Sequence, residues 1–154
     1  MKIRKAKTAD AAKLTQLTIK SKGYWGYSPQ QLEEWREELT ITPHYISTNQ
    51  VFVVLEKDAP IGFYAFAPIN RNLVKLNFLF VDPIFIGKGY GRFLMVDFLN
   101  RIKGKATKVT LDADPNAEIF YKKLGFKVAG QLQSTIKNRF LPIMELDLTT
   151  FISV

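Results

Sequence analysis

Between an apolar run that ends at Val81 and an amphipathic segment that starts near Tyr90 lies Asp82-Pro83-Ile84-Phe85-Ile86-Gly87-Lys88-Gly89-Tyr90-Gly91-Arg92, with three glycines at alternate positions. Pro83 blocks continuation of the strand, and the glycines permit a turn that bulkier residues resist. The spacing downstream predicts a helix from about Gly89 to Lys103 that buries Gly91, Leu94, Met95, Phe98 and Ile102 and stops at Gly104. A strand, a glycine turn and a helix start aim several backbone N–H groups at one point, which suits a phosphate. A Walker A loop is absent, because no Gly-x-x-x-x-Gly-Lys-Ser/Thr occurs. A dinucleotide fingerprint would need Gly-x-Gly-x-x-Gly directly after the strand, whereas this is Gly-x-Gly-x-Gly after a gap. A turn with a glycine-tolerant helix start is the plain structural alternative.

The rest of the chain reads as alternating strands and helices. Lys2–Ala6 predicts a strand, and Thr8 an N-cap for a helix through Lys20. Ser21–Tyr27 reads as an aromatic loop. Ser28 as N-cap, Pro29 behind it and Gln31 closing a capping box start a second helix with an apolar stripe of Leu32, Trp35 and Leu39. Val51–Glu56 and Ile61–Ala67 predict strands around a turn at 57–60, and Leu73–Val81 a longer strand. Lys108–Asp112 is strand-like, and Asp114-Pro115-Asn116 opens a helix with Ala117, Phe120, Tyr121 and Leu124 on one face, ended by Gly125. Phe126–Leu132 and Leu141–Leu148 close the chain around a polar loop at 133–138. The expected fold is α/β: a single mixed, mostly antiparallel sheet with helices on both faces.

Composition narrows the chemistry. The chain of 154 residues has no Cys and one His, so it holds no disulfide framework, no Cys nucleophile and no Cys/His zinc site. No metal site is expected. No segment approaches about 18 apolar residues and the start lacks an apolar leader, which predicts a cytoplasmic protein without a membrane partner. The net charge of +8 is uneven. Residues 86–139 hold eleven Lys and Arg against four acids, whereas residues 29–45 hold Arg36 against Glu33, Glu34, Glu37 and Glu38. Basic residues this dispersed give a nucleic-acid partner weak support, and such a block is either an ordinary solvated face, the more common case, or a site for a polyanionic ligand.

A second motif, Ala113-Asp114-Pro115-Asn116-Ala117-Glu118-Ile119-Phe120-Tyr121-Lys122-Lys123-Leu124-Gly125-Phe126, lies at a suitable distance from the first. Together they resemble motifs A and B of the GNAT acyltransferases. Gly89 and Gly91 stand at the two small positions of Arg/Gln-x-x-Gly-x-Gly/Ala, and Ile86 replaces the usual Arg or Gln. The resemblance extends over essentially the whole chain, residues 1–154, as one acetyltransferase domain, and is specific over residues 76–126.

The resemblance implies an acetyl-CoA-dependent N-acetyltransferase that moves an acetyl group directly to an amine, on a small molecule or a peptide N-terminus, within a ternary complex. It places the coenzyme against Phe80, Val81, Ile86, Gly87, Lys88, Gly89, Tyr90, Gly91, Arg92, Asn116, Phe120, Tyr121 and Lys123. The Val81 N–H would hold the thioester oxygen, Asn116 the pantetheine arm, and Tyr121 would serve as acid for the leaving thiolate. Many family members carry a glutamate on the strand before motif A; this strand has none, and Asn77 can orient a water but cannot be the base. Glu33, Glu34, Glu37 or His44 could serve if the second helix covers the site, with a structural or solvated role the plain alternative for His44, and deprotonation in bulk water needs no base at all. On the acceptor side stand Tyr24, Trp25, Glu33 and Glu34, with a solvated helix face as the plain alternative for the acids. A homodimer is compatible with the resemblance. A non-catalytic CoA-responsive or nucleic-acid-binding module stays open as the other class of function.

Overall fold

The computed structural model describes residues 2–134 and 139–149, so part of the expected polar loop at 133–138 lies outside the described residues. Seven strands form one sheet: β1 (Lys2–Lys5), β2 (Gln50–Glu56), β3 (Ala59–Pro68), β4 (Leu73–Val81), β5 (Lys108–Asp112), β6 (Lys127–Gln133) and β7 (Phe140–Asp147), in the order β1-β2-β3-β4-β5-β7-β6. The β1–β2, β2–β3, β5–β7 and β6–β7 pairs are antiparallel and β4–β5 is parallel, the mixed sheet expected. The chain divides into two compact units, Met1–Phe66 with Phe78–Phe98 and Ala67–Asn77 with Leu99–Val154.

In the first unit the sequence Val51-Phe52-Val53-Val54-Leu55 is buried at every position. The alternation of a strand explains how both sides are covered. Val51, Val53 and Leu55 join Leu14 and Leu17 of α1 (Ala11–Tyr24), with Ile41, Ile46 and Phe63, in one core. Phe52 points the other way and stacks with Tyr64, whose neighbours Phe66 and Phe98 bring in α5 (Tyr90–Ile102). Burying a large apolar side chain contributes about 1.5–3 kcal/mol, so two such layers account for a continuous apolar run in place of alternating polarity. Gly62 lies where β3 meets its neighbours most closely: a Cβ there would come 2.9 Å from the Phe80 carbonyl and 3.3 Å from Leu94.

Several local expectations change. The helix α1 runs on through Tyr24, so the first part of the expected aromatic loop is helical. The second helix divides at Trp35 into α2 (Pro29–Glu34) and α3 (Arg36–Leu39), although Trp35 and Leu39 N–H groups still bond to Gln31 and Trp35 carbonyls. A further helix, α4 (Pro43–Thr48), starts from the same device as α2: Thr42 accepts from the Tyr45 N–H as Ser28 accepts from Gln31, each followed by proline. The β3 strand begins two residues before Ile61, because Lys57 and Asp58 alone, at φ 51° and 65°, make the tight turn. Pro60 is accommodated at the bulge opposite Leu55.

In the second unit β4 and β5 pair over Leu73–Lys75 against Lys108–Thr110. Both strands continue, but Leu76 and Leu111 do not extend the ladder. The helix expected from Asp114 is a 3-10 turn, Pro115–Ala117, followed by α6 (Glu118–Lys123). Val109, Leu111, Tyr121, Phe126, Met144 and Leu146 are buried here, while β6 at the sheet edge is exposed along almost its whole length.

Candidate functional site

The glycine segment begins at a fixed point. The Asp82 N–H donates to the Ile61 carbonyl at 2.7 Å, and its carboxylate, on a side chain 10% exposed, caps the Ile84 N–H at 3.1 Å. Lys20 Nζ lies 3.0 Å from that carboxylate. Pro83–Phe85 then forms a 3-10 turn, closed by Phe85 and Ile86 N–H groups on the Asp82 and Pro83 carbonyls. Gly87 and Gly89 follow at φ +82° and +85°, the left-handed region that disfavours a side chain, and the space beside each is open. Only at Phe93, whose N–H bonds to the Gly89 carbonyl at 3.0 Å, does the ladder of α5 begin. The N–H groups of Tyr90, Gly91 and Arg92 therefore have no intrahelical acceptor.

Side chains complete the surroundings. Lys88 and Arg92 are exposed, and Lys88 Nζ lies 5.6 Å above the Phe85 ring, which packs edge-on to Tyr90. The Tyr90 hydroxyl donates to Glu56 at 2.8 Å, and that bond raises its phenol above the usual value. Ile86 is exposed and offers no polar contact. Gly91 is half-buried, not buried as expected, because it sits in the first turn where the helix is still open to solvent. Left-handed glycines beside open space, free helix N–H groups and two cations fit a phosphate group. Of the strand residues, Val81 gives its carbonyl to the Ser21 hydroxyl at 2.9 Å, and the Phe80 ring is committed to the core beside Phe63 and Phe78.

The residues expected on the acceptor side belong to this same unit. Tyr24 and Trp25 end α1, are 54% and 44% exposed, and form an edge-on pair. Glu33 and Glu34 are exposed on α2, Glu33 3.2 Å from Arg36 and Glu34 3.3 Å from Gln31.

The other group of residues lies in the second unit. Asp114 repeats what Asp82 does: its carboxylate accepts from the N–H two residues on, here Asn116 at 2.9 Å, and proline follows it into a 3-10 turn. Asn116 also donates through its side-chain amide to Asp114, which orients that amide, and Arg139 lies 3.4 Å from the other Asp114 oxygen. Tyr121 is 7% exposed and packs edge-on to Phe120 and Phe126. Burial, and then the charge of Asp114, push its phenol well above the usual range, so its hydroxyl stays protonated at ordinary pH. Lys123 is exposed on α6, and Asn77 is exposed on β4 two residues beyond the last β4–β5 pair.

Lys20, Ser21, Asp82, Asp114 and Arg139 were not among the residues expected to matter. The repeated Asp-Pro pair was the available signal, since an Asp before a proline caps the turn that follows. Among the described residues, no group of three or more His, Cys, Asp and Glu side chains could hold a metal ion, and no helix is long and apolar enough to cross a membrane.

Comparison with known proteins bears on this arrangement. The chain is 31% identical over 93 residues to the peptidyl-lysine N-acetyltransferase YjaB of Salmonella typhimurium, a match that spans 60% of each protein. It is 30% identical over 111 residues to the Escherichia coli protein of the same name, covering 72% of this chain and 67% of that one. The crystal structure of the PaiA N-acetyltransferase from Thermoplasma acidophilum in complex with coenzyme A superimposes with a TM-score of 0.79 at 22% identity, over 95% of this chain and 98% of that one. Residues 25–148 match the acetyltransferase (GNAT) domain, and the chain belongs to the GNAT family.

Proposed function

We propose that this chain is an acetyl-CoA-dependent N-acetyltransferase, one cytoplasmic domain over residues 1–154 that transfers the acetyl group directly to an amine in a ternary complex. The observation that carries the reading is the pair of left-handed glycines, Gly87 and Gly89, leading into the first-turn N–H groups of α5, which have no intrahelical acceptor. That loop, with Lys88 and Arg92, holds the pyrophosphate, and the amide of Asn116 holds the pantetheine arm. When bound, acetyl-CoA supplies an activated acetyl thioester. The Val81 N–H donates to the oxygen on which charge develops, and Tyr121 gives its proton to the departing sulfur. No carboxylate stands on β4, so the amine loses its proton to water, which the exposed Asn77 orients. The names of the two curated relatives support a peptide lysine as the acceptor. Tyr24, Trp25, Glu33 and Glu34 supply an aromatic and acidic surface suited to a cationic chain.

The missing carboxylate favours a second reading, a coenzyme-binding module without turnover. Release of free thiol from acetyl-CoA across a panel of lysine peptides, peptide N-termini and polyamines separates the two. Thiol release that depends on the amine is the expected result. Saturable coenzyme binding with no release across the panel would support the module instead.

A further inference from the structure

Three consecutive residues near the end of α1 meet the last two residues of β4 and Asp82 just after it, in reverse order. Lys22 Nζ lies 6.0 Å above the Phe80 ring, the Ser21 hydroxyl donates to the Val81 carbonyl at 2.9 Å, and Lys20 Nζ lies 3.0 Å from the Asp82 carboxylate. Ser21 and Asp82 are each 7% exposed, so the Ser21 rung and the carboxylate end of the Lys20 rung are shielded from competing water, while the Lys20 side chain itself is 53% exposed. On one side of this zipper the chain enters the 3-10 turn and the glycine loop, whose first N–H is capped by Asp82 itself. On the other side α1 ends in Tyr24 and passes into Trp25. Lys22 adds a lateral tie, with Nζ 5.9 Å from both the Tyr27 and Trp35 rings.

We infer that Lys20 and Ser21 are positioning residues: through them the aromatic end of α1 and the start of the glycine loop behave as one body, so that coenzyme held at the loop sets the surface that Tyr24 and Trp25 offer to the acceptor. The inference rests on the proposed coenzyme site and adds to it a route by which donor binding prepares acceptor binding. By linkage the acceptor strengthens coenzyme binding through the same two residues.

The chain has two tryptophans, Trp25 exposed and Trp35 buried, which makes the coupling observable without knowing the acceptor. Coenzyme A is titrated into the full chain, with binding followed by calorimetry and tryptophan emission followed in parallel. The expected result is an emission change that tracks calorimetric saturation and disappears in Trp25→Phe. In Lys20→Met/Ser21→Ala the change falls about five-fold or more at saturating coenzyme, while binding stays saturable. Lys20→Arg retains the change. Ser21→Ala alone, which leaves the Lys20–Asp82 pair in place, lowers it about two-fold and serves should the double variant fail to fold. An unchanged signal in both the double and the single variant overturns the inference. So does a signal that survives Trp25→Phe, or calorimetric saturation with no emission change in the unmodified chain. Absence of calorimetric binding removes the coenzyme site itself and the inference with it, an outcome distinct from a silent tryptophan.

Discussion

Arg139 Nη2 lies 3.4 Å from Asp114 Oδ2, with only 18% and 10% of the two side chains exposed, and so joins the residue before β7 to the turn that presents Asn116. At the glycine loop Lys20 Nζ lies 3.0 Å from the Asp82 carboxylate, whose side chain is likewise 10% exposed, although the lysine itself is 53% exposed. Each of these turns thus opens with an Asp-Pro pair whose shielded carboxylate does two jobs. It caps a backbone N–H two residues on, and it is neutralised by a cation from a distant part of the sequence.

Removing that cation leaves a shielded carboxylate without its counter-charge, which is costlier than never having built the pair. Arg139→Met is therefore expected to destabilise the protein by about 2 kcal/mol, read from urea unfolding. It should also weaken coenzyme binding, since the Asn116 amide is oriented by Asp114. In Arg139→Met/Asp114→Asn the stability loss should be smaller than the sum of the single changes. Strict additivity would show that the pair does not act as a unit.

Gly62 and Gly89 separate packing from binding. A Cβ at Gly62 meets the Phe80 carbonyl at 2.9 Å, backbone that cannot yield easily, so Gly62→Ala should cost about 1–3 kcal/mol. A Cβ at Gly89 meets open space, and the cost there is the left-handed φ of +85°, about 1 kcal/mol. The methyl would occupy room beside the loop where a phosphate approaches, so Gly89→Ala should raise the coenzyme Kd about tenfold or more. Thermal melts and calorimetry on the two variants check the contrast: Gly62→Ala moves chiefly the melt, Gly89→Ala chiefly the affinity.

Much of this could be read from the sequence. The spacing of Leu94, Met95, Phe98 and Ile102 gave α5 correctly, because a helix packed on a sheet has one apolar face and all four are buried. The glycine loop was legible because positive φ leaves a compositional trace. The break at Trp35 was not, since Leu32, Trp35 and Leu39 keep helical spacing across it. α4, six residues long, has too few turns to show a period, although its Thr-Pro start was visible. The partners of Asp82 and Asp114 were hidden for a different reason. Lys20 and Arg139 lie 62 and 25 residues away along the chain, and nothing in a run of surface-type residues tells which cation folds back.

The acids of α2 offer a test of the acceptor side. Glu33 and Glu34 are exposed in the unit that also carries Tyr24 and Trp25, but Glu33 is already partly neutralised by Arg36. Exposed charges act weakly and through solvent, so Glu33→Gln/Glu34→Gln should raise the KM for a cationic lysine peptide only a few-fold, about 3-fold, and leave kcat unchanged. The effect should shrink with added salt. An unaltered KM at low ionic strength would assign these acids to an ordinary solvated helix face.

The N-terminal strand carries a pH-sensitive tie. Arg4 bonds both oxygens of Asp10, at 2.8 and 3.1 Å, and the Lys7 N–H adds a third bond at 2.8 Å. The bonds from Arg4, with that from Lys7 behind them, hold the Asp10 carboxyl below its usual value. A carboxyl depressed in the folded state stabilises it above the unfolded pKa, about 3.9, and loses that contribution as the pH falls through the lower folded value. Asp10→Asn should therefore cost about 1–2 kcal/mol at pH 7. The gap between the two proteins should narrow below about pH 4 and close near pH 2. Parallel unfolding curves with a constant gap down to pH 2 would contradict this account.

Tyr121 makes the sharpest demand, because its burial and its proposed chemistry predict separate things. Its ring is closed in by Phe120 and Phe126, and burial, aided by Asp114, raises its phenol above the ordinary value of about 10. In the folded protein the hydroxyl keeps its proton where an unfolded tyrosine has already begun to release it. The folded state then binds more protons than the unfolded state above about pH 10, and stability must fall as the pH rises beyond that point. Tyr121→Phe should remove this part of the alkaline loss, measured as urea midpoints between about pH 8 and 11. As proton donor to the leaving sulfur, the same hydroxyl should account for about 100-fold in kcat, with the coenzyme Kd nearly unchanged in the phenylalanine variant. The kcat of the unmodified enzyme should show no fall assignable to Tyr121 below about pH 10. Full turnover in Tyr121→Phe together with a lost alkaline slope would leave Tyr121 as a buried core residue and place the acid elsewhere.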